Sequence, residues 1–273
     1  MENDDFKTGG FIQMKKKIAL ILTTLVALVL VLTGCSSNKN ASDTKTKGTL
    51  TIGLEGTYAP YSYRENGKLD GFEVEYGKAV AKKLGLKAKF VPTKWDSLIA
   101  GLNSKTFDVV INNVAENASR KKAYIFSEPY IYSKSVIITK DGSGINSVDD
   151  IKGQKIAAGT GTDNYNHAKH FGATVVPATD FQTGMSMIDQ GRVKGAFNSK
   201  EAFLTWKKDH KNTDLKYIEI PASKLPISEI APIYNKKSTK LSKDVTKATK
   251  ELYKDGTMKK LSVKYFGEDI TKK

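Results

Sequence analysis

Residues 87–111 read KAKFVPTKWDSLIAGLNSKTFDVVI. Lys87–Val91 and Phe107–Ile111 are strand candidates, because both short runs carry aromatic and β-branched side chains. Four apolar residues between them recur at helical spacing, namely Trp95, Leu98, Ile99 and Leu102. A strand, a helix and a second strand in this order predict a parallel α/β sheet.

The same alternation continues on both sides of this stretch. Upstream, Thr49–Leu54 predicts a strand, and Phe72–Leu84 predicts a helix that Gly85 ends. Downstream strands are predicted at Ser135–Thr139, Lys155–Ala158, Ala173–Val176, Val193–Phe197 and Glu229–Tyr234. Downstream helices are predicted at Asp163–His170, Phe181–Asp189, Lys200–Lys208, Ser238–Lys254 and Thr257–Tyr265. These elements predict two α/β lobes, with the last helices returning to the first lobe.

The first lobe is predicted to consist of residues 49–132 and 229–273, and the second lobe of residues 133–228. The chain is therefore expected to cross between the lobes twice, near Tyr132–Lys134 and near Ile227–Ile230.

The amino-terminal segment has the pattern of a secretory signal. Basic residues at Met14–Lys17 precede a short apolar run, Ile18–Leu32, and Leu32–Cys35 resembles a bacterial lipobox. We predict an upstream extension and lipoprotein signal peptide at residues 1–34, acylation of Cys35, and a flexible tether at residues 35–48 that is too polar to fold. An ordinary cleaved signal and an uncleaved membrane anchor are the alternatives.

The chain is strongly basic, with a formal net charge of +15, and has a single cysteine. The lysines are scattered and arginine is scarce, so a basic coat facing an anionic membrane and wall is favoured over nucleic-acid binding. Since Cys35 is the only thiol, a packed core and not a disulfide must stabilise the fold.

An ordered series of motifs resembles the solute-binding proteins of polar amino-acid ABC importers over Gly48–Lys273. The matching motifs are Gly56–Tyr61, Gly71–Val74, Trp95–Leu102, Phe107–Val110, Ser119–Lys122, Phe126–Tyr130, Asp150–Gly153, Asp255–Thr257 and Lys264–Gly267. Lys94–Ser97 and Lys259–Asp269 are similar to the cystine-binding branch of this family.

The resemblance implies a two-lobed periplasmic-binding-protein-like α/β fold of type II, with the ligand in a cleft between the lobes. It also implies a monomer, held outside the cell membrane by lipid on Cys35, that needs no cofactor. Its partners would be an amino-acid-like ligand, for which cystine is the first choice, and an ABC permease with its ATPase. The lysine-rich composition and the lipobox suit a Gram-positive cell.

The resemblance also implies which residues contact the ligand. Arg120 would clamp the ligand's α-carboxylate, since a guanidinium offers two parallel donors, although an arginine beside two lysines also suits a solvated surface. Thr162 and Asp163, in a glycine-rich turn before a helix, would offer amides to the same carboxylate. Tyr58 and Trp95 would form aromatic walls, while Trp95 also shares a helical face with apolar residues and could belong to the core.

Further polar contacts are implied after two of the predicted strands, Thr49–Leu54 and Phe107–Ile111. Asn112, Asn113 and Ala115 would hydrogen-bond to the ligand at the carboxyl end of a strand, where open α/β sheets bind their ligands. Glu55 matches an acidic position near the ligand's amine or side chain.

The sequence departs from the family pattern at Ser199, where relatives usually carry an aspartate that pairs with the ligand's ammonium group. The electrostatic attraction for the ligand's ammonium group must therefore be weaker, or another acidic residue must supply it. The candidates are Glu55, Glu201 and Glu229. Lys194 would repel an ammonium group if it pointed inward, and an outward orientation is equally compatible with a strand.

Two other functions are considered. An enzyme resembling cyclohexadienyl dehydratase would need a poised carboxylate or histidine in the cleft, but the three histidines lie on polar helical patterns that favour solvent exposure. Adhesion to a surface polymer would use the basic coat and should fade as salt rises.

Overall fold

The computed structural model describes residues 43–273, and the strands of this part form two five-stranded sheets. In the first sheet β1 (Thr49–Leu54) lies between β4 (Lys87–Pro92) and β5 (Val109–Val110) and runs parallel to both. Then β14 (Ile233–Asn235) pairs antiparallel with β5 and with β6 (Tyr124–Phe126). Five of the six residues of β1 are buried, as expected of a central strand with both faces covered.

The second sheet is mixed. Its strands are β8 (Ser135–Lys140), β9 (Lys155–Ala158), β10 (Thr174–Pro177), β11 (Gly195–Ser199) and β12 (Leu215–Glu219). In this sheet β9 runs parallel to β10 and β11, whereas β8 runs antiparallel to β11 and β12. A separate hairpin pairs β2 (Tyr63–Glu65) with β3 (Lys68–Asp70).

The helices cover the faces of these sheets. They are α1 (Phe72–Lys83), α2 (Trp95–Leu98), α3 (Ala100–Asn103), α4 (Ala118–Ala123), α5 (Asp163–His170), α6 (Phe181–Asp189), α7 (Lys200–Asp209), α8 (Thr239–Lys254) and α9 (Thr257–Phe266), with a 3₁₀ turn at Val148–Ile151. The last two helices pack on the first sheet, because Leu241, Leu252 and Met258 lie in the same buried cluster as Leu50. The second sheet has its own clusters, around Ile138 on one face and Ile137 on the other.

A short antiparallel pair lies where the chain passes between the sheets. It joins β7 (Ile131–Ser133) to β13 (Ser228–Ile230), with Ser133 opposite Ser228. The chain enters the second sheet after β7 and leaves it before β13, so the two crossings are side by side and hydrogen-bonded to each other.

Several predicted elements differ from the structure. The single strand predicted at Glu229–Tyr234 is wrong, because Ala231–Pro232 separates β13 from β14 and the two strands belong to different sheets. The single helical pattern at Trp95–Leu102 forms two one-turn helices, α2 and α3. The hairpin β2–β3, strands β6, β7 and β12 and helix α4 were not predicted. Within residues 43–273, no helix combines the length and the apolar character needed to span a membrane.

Candidate functional site

One cavity has walls from both sheets, and it lies at the carboxyl ends of their parallel strands. Glu55 follows β1 and Asn112 follows β5, while Gly159 follows β9 and Ala178 follows β10. All ten residues that the sequence predicted to contact a ligand line this cavity. They are Glu55, Tyr58, Trp95, Asn112, Asn113, Ala115, Arg120, Thr162, Asp163 and Ser199.

Arg120 lies on α4, whose first turn is capped by the Asn117 side chain, which accepts a hydrogen bond of 2.7 Å from the Arg120 amide. The guanidinium donates from Nη1 to the Ala115 carbonyl at 2.8 Å and from Nη2 to the Gly161 carbonyl at 3.0 Å. Its Nη1 also lies 3.3 Å from Asp163 Oδ2, and both side chains are mostly buried, at 11% and 16% exposure. Burial lowers the pKa of Arg120, and Asp163 opposes that shift. The charged donors therefore face a carboxylate inside the cavity, which excludes the alternative that Arg120 lies on a solvated surface.

The turn before α5 supplies the opposite wall. Thr162 caps this helix, since its Oγ1 accepts from the Tyr165 amide at 3.0 Å and donates to the Gly159 carbonyl at 2.7 Å. Gly161 has φ 76°, a conformation that side chains rarely adopt. The first amides of α5 have no partner within the helix, so they suit an anion. Sequence reasoning considered only the Asp163 amide, whereas the structure shows its carboxylate accepting from Asn117 Nδ2 at 2.6 Å and pairing with Arg120.

Aromatic side chains bridge from the first sheet to the second. Tyr58 stacks on Tyr61 with ring centroids 5.0 Å apart, and its hydroxyl donates to Asn198 Oδ1 at 2.7 Å. Trp95 Nε1 donates to the Thr160 carbonyl at 3.0 Å, and the Arg120 guanidinium lies 5.7 Å from the Trp95 ring centroid. Trp95 also packs against the buried cluster that contains Leu98. The sequence left open whether Trp95 lines the cavity or belongs to the core, and in the structure it does both.

Glu55 and Asn112 form a reciprocal pair where β1 and β5 end. The Glu55 amide donates to Asn112 Oδ1 at 2.7 Å, and Asn112 Nδ2 donates to Glu55 Oε2 at 2.8 Å. Burial raises the pKa of Glu55, the Asn112 bond opposes this, and Asp180 raises it further. Asp180 lines the cavity from the second sheet and was missed, although its place immediately before α6 is typical of a helix cap.

Asn113 lies on a loop that a buried carboxyl group supports. Its φ of 46° is unusual for a residue other than glycine, and its amide donates to Glu73 Oε1 at 2.5 Å. Glu73 also accepts from the Tyr130 hydroxyl and is fully buried. Ala115 forms a bridge to Ile230 and, as noted, gives its carbonyl to Arg120. Glu73 was not singled out from the sequence, because its helical position gives no local sign of burial.

Ser199 caps α7, because its Oγ accepts from the Ala202 amide at 3.1 Å. Glu201 is buried directly behind it, with Ser199 Oγ donating to Glu201 Oε2 at 3.1 Å. Of the other proposed acids, Glu55 lines the cavity, whereas Glu229 does not and pairs with Lys273 at 2.5 Å. Lys194 is exposed and does not line the cavity.

The histidines were predicted to face solvent, and this is wrong for His167. His167 is half-buried beside Phe197, with ring centroids 6.0 Å apart, and burial lowers its pKa. His170 and His210 are exposed. Residues 43–273 contain no cluster of three or more acidic, histidine or cysteine side chains that could hold a metal ion. The predicted lipidation site Cys35 lies outside the described residues.

Comparison with known proteins defines the class. Residues 50–268 match the bacterial extracellular solute-binding proteins, family 3. The L-cystine-binding protein TcyA of Bacillus subtilis (strain 168) is 40% identical over 275 residues, which cover 95% of this chain and 100% of that protein. The chain therefore belongs to this family of extracellular solute-binding proteins.

Solved structures share the two-lobed type II fold. The L-cystine solute receptor of Neisseria gonorrhoeae, in an unliganded open conformation, is 38% identical with a TM-score of 0.58 over 83% of this chain and 95% of that one. An ancestral arginine-binding protein bound to arginine is 33% identical, yet its TM-score is 0.74 over 81% of this chain and 99% of that one. The more identical structure is thus the less similar in shape.

Proposed function

We propose that this protein captures an amino acid outside the cell, with L-cystine as the first candidate, and delivers it to the permease and ATPase of an ABC importer. The observation that carries the proposal is that the Arg120 guanidinium contacts the turn at the start of α5, at Gly161 and Asp163, inside one cavity. A guanidinium and the amides of a helix start both bind a carboxylate. Asp163 Oδ2 occupies the guanidinium in this structure, and a ligand carboxylate would take its place there.

The charges of the cavity favour a ligand that also carries ammonium groups. Among the lining residues, Arg120 is the single lysine or arginine, whereas Glu55, Asp163 and Asp180 are acidic. Cystine has a carboxylate and an ammonium group at each end, so one carboxylate would pair with Arg120 while the second ammonium group meets Glu55 and Asp180. The names of TcyA and of the gonococcal receptor support the same choice.

Titration calorimetry with L-cystine, L-arginine and L-glutamine tests this proposal. We expect L-cystine to bind most tightly. Tighter binding of another amino acid would replace cystine as the ligand, and the absence of binding by all three would overturn the amino-acid assignment.

We further propose that Cys35 carries the lipid that anchors the protein, and that the lobes are residues 49–132 with 229–273 and residues 133–228. The Gram-positive assignment rests on the lipobox and on the lysine-rich composition. Because acyl chains supply anchoring at about 0.8 kcal/mol per buried methylene, Cys35→Ser should release the protein or block its maturation. Fractionation that finds a processed Cys35→Ser protein still on the membrane would contradict the anchor.

A further inference from the structure

Glu201 is a buried carboxylate immediately behind the cavity wall. It lies in the first turn of α7 at 7% exposure. Its Oε2 accepts hydrogen bonds from three hydroxyls, those of Tyr61 at 3.1 Å, Ser133 at 3.0 Å and Ser199 at 3.1 Å. These hydroxyls come from three separate segments of the chain, so the tertiary structure gathers them around one oxygen.

No lysine, arginine or histidine nitrogen of residues 43–273 lies within 4.0 Å of this carboxylate. A buried charge without a counter-charge is unfavourable, even where hydrogen bonds satisfy its oxygens. A bound cationic group would supply the missing counter-charge.

Two of the three hydroxyls, those of Ser133 and Ser199, line the ligand cavity, whereas Glu201 itself does not. Both serine hydroxyls donate to Glu201, and the Tyr61 hydroxyl also lies 2.9 Å from Ser199 Oγ and 3.4 Å from Ser133 Oγ, where either oxygen could be the donor. With Tyr61 donating to Glu201, Ser133 Oγ keeps both lone pairs, whereas Ser199 Oγ accepts from the Ala202 amide and keeps one. Donation to a carboxylate strengthens both oxygens as acceptors. Acceptors backed by a negative charge suit an ammonium group, which has only donors.

We infer that Glu201 holds the ligand's ammonium group through the Ser133 and Ser199 hydroxyls. Glu201 is thus a positioning residue that acts without touching the ligand, and it supplies the charge that Ser199 lacks. The inference rests on the proposed function of the cavity as an amino-acid site. It adds that the negative charge that attracts one ammonium group comes from Glu201, which lies behind the residues that line the cavity.

The test measures Glu201→Gln with two ligands, L-cystine and 3,3′-dithiodipropionate, which is cystine without its ammonium groups. We expect Glu201→Gln to weaken cystine binding at least tenfold and to change dithiodipropionate binding less than twofold, measured directly or by displacement of cystine. Glu251→Gln on α8 is the matched control, because it removes the same charge from an exposed position away from the cavity and should leave both affinities unchanged.

Ser133→Ala provides a second variant in case Glu201→Gln folds poorly, which thermal unfolding without ligand would reveal. It keeps Glu201 but removes one acceptor, so cystine binding should fall two- to fivefold with dithiodipropionate unaffected. If the wild type binds cystine but both variants bind it equally well, the inference is wrong. Equal losses of affinity for cystine and dithiodipropionate would also overturn it. A wild type that binds no amino acid would overturn the proposed function and this inference with it.

Discussion

Glu73 and Arg120 show how burial changes the behaviour of single ionisable residues around the cavity. Glu73 is fully buried beneath Asn113, and its Oε2 has no hydrogen-bond partner among the described residues. Burial raises the pKa of Glu73 to about 7, although the hydrogen bonds from Tyr130 and Asn113 oppose the shift. Because this pKa lies above the ordinary value, the folded protein retains a proton that the unfolded chain releases.

This difference predicts a loss of stability with rising pH. Glu73 contributes about 3 kcal/mol to the free energy of unfolding below about pH 4.5, and this contribution is lost as the pH rises through about 7. Glu73→Gln cannot ionise, so its free energy of unfolding should lack this decline when urea titrations are compared at pH 5 and pH 8. Glu251→Gln, at an exposed position on α8, should keep the wild-type pH dependence. Parallel pH profiles for wild type and Glu73→Gln would refute the assignment.

Arg120 leads to a prediction about affinity. Arg120→Ala should weaken cystine binding by about 2 to 5 kcal/mol, because a carboxylate buried without its partner is costly. Its neighbour Lys121 is the control, since Lys121 is more than half exposed and pairs with Glu116 on the surface. Lys121→Ala should bind normally in calorimetry. An Arg120→Ala affinity within a few fold of the wild type would show that the carboxylate binds elsewhere.

The start of α5 is the element that most directly shapes the cavity. Its cap, the Thr162 hydroxyl, joins the first turn of the helix to the preceding loop. Thr162→Ala should lower the free energy of unfolding by about 1 kcal/mol, as expected for a lost helix cap. It should also weaken cystine binding, because the amides of the turn lose their fixed direction.

Thr162→Ser keeps the capping oxygen and is the control for this prediction. Urea unfolding should find Thr162→Ser close to the wild type and Thr162→Ala less stable. Equal destabilisation by both substitutions would mean that the threonine methyl group, and not the cap, stabilises the turn.

At the scale of the molecule, direct contacts join the two sides of the cavity in this structure. They are the bonds of Arg120 to Asp163, Trp95 to Thr160 and Tyr58 to Asn198. The paired strands β7 and β13 are the connections about which the two sides would rotate. A ligand that touches both sides would favour this closed arrangement over an open one.

Closure predicts a change in solution shape. Small-angle scattering should show a smaller radius of gyration when L-cystine is added at saturation. Arg120→Ala at the same cystine concentration should keep the open profile, because it binds too weakly. Identical wild-type profiles with and without bound cystine would contradict closure.

Much of the fold and of the cavity was predictable from the sequence alone. Helices Asp163–His170 and Phe181–Asp189 begin and end where the pattern of apolar residues and caps predicts. The ten predicted residues line one cavity, and most of them follow strand ends or lie at helix starts. They were predicted from the resemblance to known solute-binding proteins and not from these positions alone. Their contacts with a ligand remain predictions.

Only the tertiary structure decided which distant residues meet. Glu201 and Tyr61 are 140 residues apart, and the hydrogen bond between them has no trace in either local pattern. The same holds for the burial of Glu73 and for the split at Pro232, which places two adjacent strands in different sheets. Periodicity and caps describe interactions within a few residues, whereas burial, counter-charges and raised pKa values depend on what long-range packing brings alongside.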